Sequence, residues 1–308
     1  MNKTYMTIAL MSPLVCTAAM GAKKAKANNQ QKPNVIIILA DDLGYGDLGC
    51  YGAKNVETPN VDKLAKQGIR FTDAHAIAST STPSRYSLLT GEYAWRRPGT
   101  DVAPGDAGMI IQPTQFTMAD MFKSVGYSTC AIGKWHLGLG AETGKQDWNA
   151  PLPAALADIG FDHHYIMAAT ADRVPCVFIE DGMVANYDPS APIEVSYFKN
   201  FTGEPTGKDN PELCYNMKSS HVHNMSIVNG IGRIGYMKVA VRHCGKTRTS
   251  PTPSLPTPST SSRKTAIILS SSILPPTMST CLVSHTSVSV ERAAWVCVET
   301  PLCSSTGL

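Results

Sequence analysis

An α/β fold is what this sequence predicts, on three observations. "NVIIILA" (34–40) is a short, continuous apolar run rich in β-branched residues, the pattern of a strand buried on both faces of a parallel sheet. Two helix patterns follow. "TPNVDKLAKQG" (58–68) has Thr58 as a cap, Pro59 at the first helical position and Gly68 as the stop. "QFTMADMFKSVG" repeats the design with Thr117 as its cap, and "YSTCAIG" returns as a strand. Strand, helix and strand in alternation is the arrangement from which α/β sheets are built.

The whole chain sets the outer limits. Its 308 residues suffice for one large α/β domain or two ordinary ones. A net charge of +3 is too mild to argue for nucleic acid or an anionic membrane surface as partner. Residues 1–31 read as an export signal and leader: Lys3 is positive, Met6 to Met20 is mostly apolar, and small residues follow at Ala18, Ala19, Gly21 and Ala22. That run is too short to span a bilayer. The expected location is therefore periplasmic or cell-surface, with lipid acylation at Cys16 as an alternative. The nine cysteines form no disulfide framework and contain no CxxC, so buried thiols are expected at Cys50, Cys130, Cys176 and Cys214.

In open α/β sheets, ligands bind beyond the carboxyl ends of the strands, which puts Asp41 and Asp42 at the active rim. Adjacent carboxylates repel, and a hard divalent cation, calcium or magnesium, is one reason to keep them together; a solvated turn is another. In "STPSRYSLLTG" (81–91), Arg85 lies one helical turn after Ser81, so its guanidinium can fold back toward the serine. Pro83 suits a first turn, whose free N–H groups and dipole favour an anion. Ser81 there is either a plain N-cap or a group held over a tetrahedral oxyanion. "IGKWHLG" (132–138) alternates Lys134 and His136 with Trp135 and Leu137, pointing an anion-binding charge and a proton carrier to one side.

Together and in this order, "LADDLGYGD", "TPNVDKLAKQG", "STPSRYSLLTG" and "GKWHLG" resemble the type I sulfatases of the alkaline phosphatase superfamily. "GFDHHY" and "GRIGYMK" extend the resemblance over residues 33–238. It implies an alkaline phosphatase-like mixed, mostly parallel sheet sandwiched by helices, with residues 32–238 forming the N-terminal part of the catalytic domain. It also implies that Ser81 is oxidised to formylglycine, in the serine-type variant, by a radical-SAM maturase. Asp41, Asp42 and Ser81 would be metal ligands for calcium (magnesium being the alternative), and Ser81, Arg85, Lys134 and His136 would be catalytic. The substrate class would be sulfate esters on sulfated carbohydrate. His75, His163 and His164 match no motif, while His221 and His223 are candidates to line the pocket. A phosphohydrolase using Ser81 directly, and a non-catalytic fragment, are the rival expectations.

After Lys238 the pattern changes. Ser, Thr and Pro make up 32 of the 70 residues from 239 to 308, which contain no Phe, Tyr, Asp, Asn or Gln. A disordered tail fits that composition, but "AIILSSSIL" and "AAWVCV" are odd in a solvated segment. A shifted reading frame accounts for both features. A serine codon of the TC type hides one ending in TC, which encodes Phe, Leu, Ile or Val. Read this way, "ILSSSILPPTMSTCLVS" hides "NPFFLYLATHDVHVPRV", a strand followed by His and Asp, as the family resemblance requires at that point. The expectation is an out-of-frame tail and a truncated, inactive, poorly soluble product.

Overall fold

The computed structural model describes residues 32–238 and the strands Lys264–Ser271 and Ala293–Glu299. The leader 1–31 lies outside the described residues, as does the rest of 239–308. In chain order the elements are β1 (Asn34–Ala40), α1 (Pro59–Gln67), α2 (Ser81–Thr90), α3 (Met118–Ser124), β2 (Tyr127–Lys134), β3 (His163–Met167), β4 (Phe178–Glu180) and β5 (Met183–Val184). They continue with β6 (Glu194–Ser196), β7 (Ile227–Val228), β8 (Ile231–Gly232), β9 (Tyr236–Lys238), β10 (Lys264–Ser271) and β11 (Ala293–Glu299).

Seven strands form the main sheet in the order β11-β1-β10-β2-β3-β4-β5. The first five are mutually parallel, while β4 and β5 add an antiparallel edge. The expected mixed, mostly parallel α/β sheet is therefore present. β10 separates β1 from β2, with Ile37 opposite Ile268 on one side and Ala131 opposite Ile268 on the other. The two apolar stretches that looked out of place in a Ser/Thr/Pro-rich tail thus coincide with strands; the remainder of the expected disordered tail lies outside the described residues.

The two faces of the sheet are covered unequally. Tyr86 and Leu89 of α2 and Ala119 of α3 join Ala131, Ile166 and Ile179 from β2, β3 and β4 in the main core. Cys130 and Ile132 point the other way and meet Ile36 and Ile38 in a small separate cluster. That split is the period-2 alternation of strands, with odd residues of β2 facing α2 and even ones facing away. α1 buries none of its residues, whereas α2 buries six of ten.

Helix boundaries follow the sequence signals, with one exception. Thr117 accepts from Asp120 N–H at 3.2 Å while Asp120 accepts from Thr117 N–H at 3.0 Å, a capping box. Thr58 sits at the N-cap of α1 but makes no capping bond. Its hydroxyl instead accepts from Gly49 N–H at 2.8 Å and donates to Asp62 Oδ1 at 3.0 Å, tying the helix to the glycine-rich loop after β1. Gly91 closes α2 in the left-handed region, with φ 69° and its N–H on Ser87 O at 2.9 Å.

The segment after β2 is fixed by a close backbone approach. Gly138 has φ 72°, and a Cβ there would lie 1.9 Å from Gly108 O. Gly138→Ala is therefore expected to destabilise the chain by more than about 2 kcal/mol, from backbone strain and displacement of the 104–109 loop together, read as a drop in the urea midpoint.

Candidate active site

Three elements deliver the site. β1 stops at Ala40, so Asp41 emerges at the carboxyl end of a central strand with its side chain 7% exposed. β2 stops at Lys134 at the same end of the sheet, with its side chain 6% exposed. α2 starts at Ser81, and Thr80 occupies the N-cap position without a side-chain capping bond. Ser81 is thus the first helical residue rather than a cap, and its hydroxyl is left for other partners.

Arg85 joins all three. Its Nε donates to Ser81 Oγ at 2.8 Å, its Nη1 to Lys134 O at 2.9 Å, and its Nη2 pairs with Asp41 Oδ2 at 3.4 Å. Lys134 Nζ pairs with the same Asp41 oxygen. The fold-back of Arg85 onto Ser81 expected from the one-turn spacing is realised. Burial lowers Arg85 to about 10, against the opposing pull of Asp41, so it stays charged at neutral pH. Burial, and then the neighbouring guanidinium, also lower Lys134, while Asp41 and Asp42 pull it back up. Pro83 has no N–H and Ser84 N–H bonds Thr80 O at 3.2 Å. The buried guanidinium of Arg85 and the ammonium of Lys134 thus add their positive charge beside Ser81 to that of the helix end.

His136 is held by a different device from the one expected. Strand alternation does not carry it to the side of Lys134, because β2 has ended and His136 has φ 61°. Thr82, fully buried, donates from Oγ1 to His136 O at 2.9 Å and accepts from Ala103 N–H at 3.1 Å. Ala103 O in turn lies 2.9 Å from His136 Nε2. A carbonyl only accepts, so Nε2 carries the proton and donates, and Nδ1 is the bare nitrogen. Nδ1 is buried with no hydrogen-bond partner among the described residues. Burial, then the Lys134 charge, push His136 down to about 4, which keeps it neutral. Thr82 and Ala103 carry no motif signal of their own and were not legible as site residues.

The remaining histidines scatter. His75 is exposed beside Asp73, and His163 pairs with Asp181 at 3.4 Å on the surface. His164 is buried and accepts from Gly182 N–H at 2.9 Å. His221 is exposed, whereas His223 Nε2 reaches Asp172 Oδ2 at 3.0 Å.

The residues expected to hold calcium, Asp41, Asp42 and Ser81, lie at one rim but are differently engaged. Asp41 Oδ2 is occupied by Lys134 and Arg85, Ser81 Oγ by Arg85, and Asp42 is exposed with φ 57°. Their oxygens suit a hard cation in kind but not in number, since calcium takes about six to eight. Among the described residues no group of three His, Cys, Asp or Glu could hold a metal ion. These residues alone do not fit a divalent cation.

Comparisons with known proteins converge on one family. The family model described as Sulfatase matches residues 33–176. An N-acetylgalactosamine-6-O-sulfatase of Bacteroides thetaiotaomicron is 52% identical over 215 residues, covering 70% of this chain and 42% of that protein. Human arylsulfatase A is 48% identical over 113 residues, covering 36% of this chain and 22% of its own length. A solved structure from work on glycosaminoglycan metabolism by Bacteroides thetaiotaomicron superposes with a TM-score of 0.70 at 44% identity, over 78% of this chain and 51% of that one. The chain thus spans about half or less of the proteins it matches. Among the described residues no helix is long and apolar enough to cross a membrane.

The neutral, buried His136 sets an acid dependence. Its folded value of about 4 lies below the ordinary 6.5, so the unfolded chain takes up the proton first and stability falls as pH drops. Between pH 7 and pH 5 the chain is expected to lose about 2 kcal/mol through this group, the loss levelling off below pH ~4. Urea midpoints at the two pH values measure it, and the loss should be absent in His136→Gln.

Proposed function

This chain belongs to the sulfatase family, and on that premise we propose that it carries the nucleophile-bearing part of a sulfuric ester hydrolase acting on sulfated glycans. The observation that carries the reading is the 2.8 Å contact of Arg85 Nε on Ser81 Oγ, beside the ammonium of Lys134. A sulfate ester brought there meets two buried cations, one a planar fork. Yet Ser81 itself is poorly equipped to attack. The guanidinium touching it is a pure donor and cannot take its proton.

Formylglycine at Ser81, made by a radical-SAM maturase, would add water to give two hydroxyls on one carbon. One would attack sulfur and displace the sugar alcohol, which takes up a proton. The other would lose its proton as the carbon returns to the aldehyde and its C–O bond to sulfate breaks. Arg85 would orient that side chain through Nε, as it orients the serine. Lys134 would offer its ammonium to a sulfate oxygen in exchange for Asp41. His136, protonated on Nε2 toward Ala103 O, would present Nδ1 as an acceptor for a hydroxyl. Asp41, Asp42 and Ser81 would contribute part of a calcium (alternatively magnesium) shell, whose other ligands must come from elsewhere. The relative acting at the 6-O position of N-acetylgalactosamine suggests the sugar, and the leader suggests export to the periplasm or cell surface. With two carboxylates among the described residues where calcium takes about six oxygens, the chain is expected to be inactive.

Two measurements test this. After co-expression with a serine-type maturase, the peptide spanning Ser81 should be lighter by two hydrogens; an unmodified serine there would contradict the nucleophile. The purified 308-residue chain should show no turnover of 6-sulfated N-acetylgalactosamine with calcium present, and measurable sulfate release would overturn the proposed inactivity.

A further inference from the structure

The same rim carries a second polar group that the proposed sulfate chemistry leaves unused. The segment after β3 runs directly beside Lys134 and His136: Trp135 N–H donates to Met167 O at 3.0 Å and His136 N–H to Ala168 O at 3.1 Å. Five residues on it presents Asp172 and Arg173. Asp172 Oδ2 lies 3.0 Å from His223 Nε2, and Arg173 Nη1 donates to Thr170 Oγ1 at 2.9 Å while lying 3.5 Å from Asp172 Oδ1. The side chains are 34%, 21% and 31% exposed for Asp172, Arg173 and His223.

Surface ion pairs of this kind usually contribute little, ~0–1 kcal/mol, and need no functional reason. Here the backbone beneath is held on both sides. Ile234 N–H donates to Asp172 O at 2.8 Å, Val174 N–H to Ile234 O at 3.1 Å, and the buried Arg233 donates to Ala171 O. Burial alone would raise Asp172, but hydrogen bonds from Thr170 and His223 and the charge of Arg173 outweigh it and hold the carboxylate low. The positive charge of Arg173 also contributes to keeping His136 neutral, so the two groups are electrostatic neighbours. A fixed acceptor, a fixed donor fork and an imidazole, each partly open, match ring hydroxyls that both give and accept hydrogen bonds.

We propose that Asp172, Arg173 and His223 form a subsite for ring hydroxyls of the sugar that bears the sulfate ester. It rests on the sulfatase reading above and adds the residues that select the sugar. Asp172 and Arg173 contact the hydroxyls, and His223 fixes the carboxylate.

The full chain is titrated with N-acetylgalactosamine 6-sulfate, with N-acetylgalactosamine and with inorganic sulfate, using ligand-observed NMR. Asp172→Asn, Arg173→Lys and Arg173→Ala should each weaken the two sugars about tenfold or more and leave inorganic sulfate unchanged, because a lost directional hydrogen bond discriminates more than a lost charge. His223→Gln, whose amide can still reach the carboxylate, should retain most of the sugar affinity, and thermal melts confirm that each variant is folded. Sugar binding unchanged in folded Asp172 and Arg173 variants, or no sugar binding by the native chain, overturns the subsite. Sugar binding that depends on Asp172 and Arg173, with no sulfate binding at all, leaves the subsite standing and removes the proposed sulfate site at Arg85 and Lys134 instead.

Discussion

One carboxylate holds the site together. Asp41 at the end of β1 takes the ammonium of Lys134 from the end of β2 and faces the guanidinium of Arg85 from α2. β1 and β2 are not even neighbours in the sheet, since β10 runs between them. The contact therefore fixes where strands and helix end relative to one another, and with them the position of Ser81. Removing one member of such a buried group leaves uncompensated charge in a poorly solvated place, a loss of about 3–5 kcal/mol. On the proposed reading an anionic ester would meet two cations kept desolvated, their charge offset in part by that carboxylate.

A second constraint works through the backbone. His136 sits at φ 61°, a conformation that costs a non-glycine residue about 1–3 kcal/mol. It is held there by Thr82, the residue directly after the proposed nucleophile, and by Ala103, whose N–H donates to Thr82 Oγ1. The Ala103 carbonyl facing Nε2 then decides which imidazole nitrogen carries the proton. Thr82 and Ala103 thus tie the first turn of α2 to His136, so the two cannot move independently.

Much of this was readable in the residues. The apolar run 34–40, the capping pattern at Thr117 and the one-turn spacing from Ser81 to Arg85 each specify a local geometry, and each is found. Thr58 was misjudged because its hydroxyl is drawn away by Gly49 and Asp62, a tertiary competitor that propensity does not contain. His136 was placed by strand alternation, which fails because the strand ends two residues earlier. The apolar stretches in the 239–308 region stand out from their composition, but their pairing on either side of β1 depends on contacts more than two hundred residues apart in sequence.

By itself, then, the sequence determined the local and chemical part: an α/β pattern, a serine with a guanidinium one turn away, and a family resemblance over residues 33–238. These follow from period, capping and spacing, which act over a few residues. Tertiary structure alone decided that Lys134 and Arg85 share Asp41, that Thr82 and Ala103 choose the tautomer of His136, and that Asp172 and His223 meet beside them. Those contacts join segments between about thirty and ninety residues apart, and no local preference encodes which distant carbonyl or carboxylate a buried polar group will find.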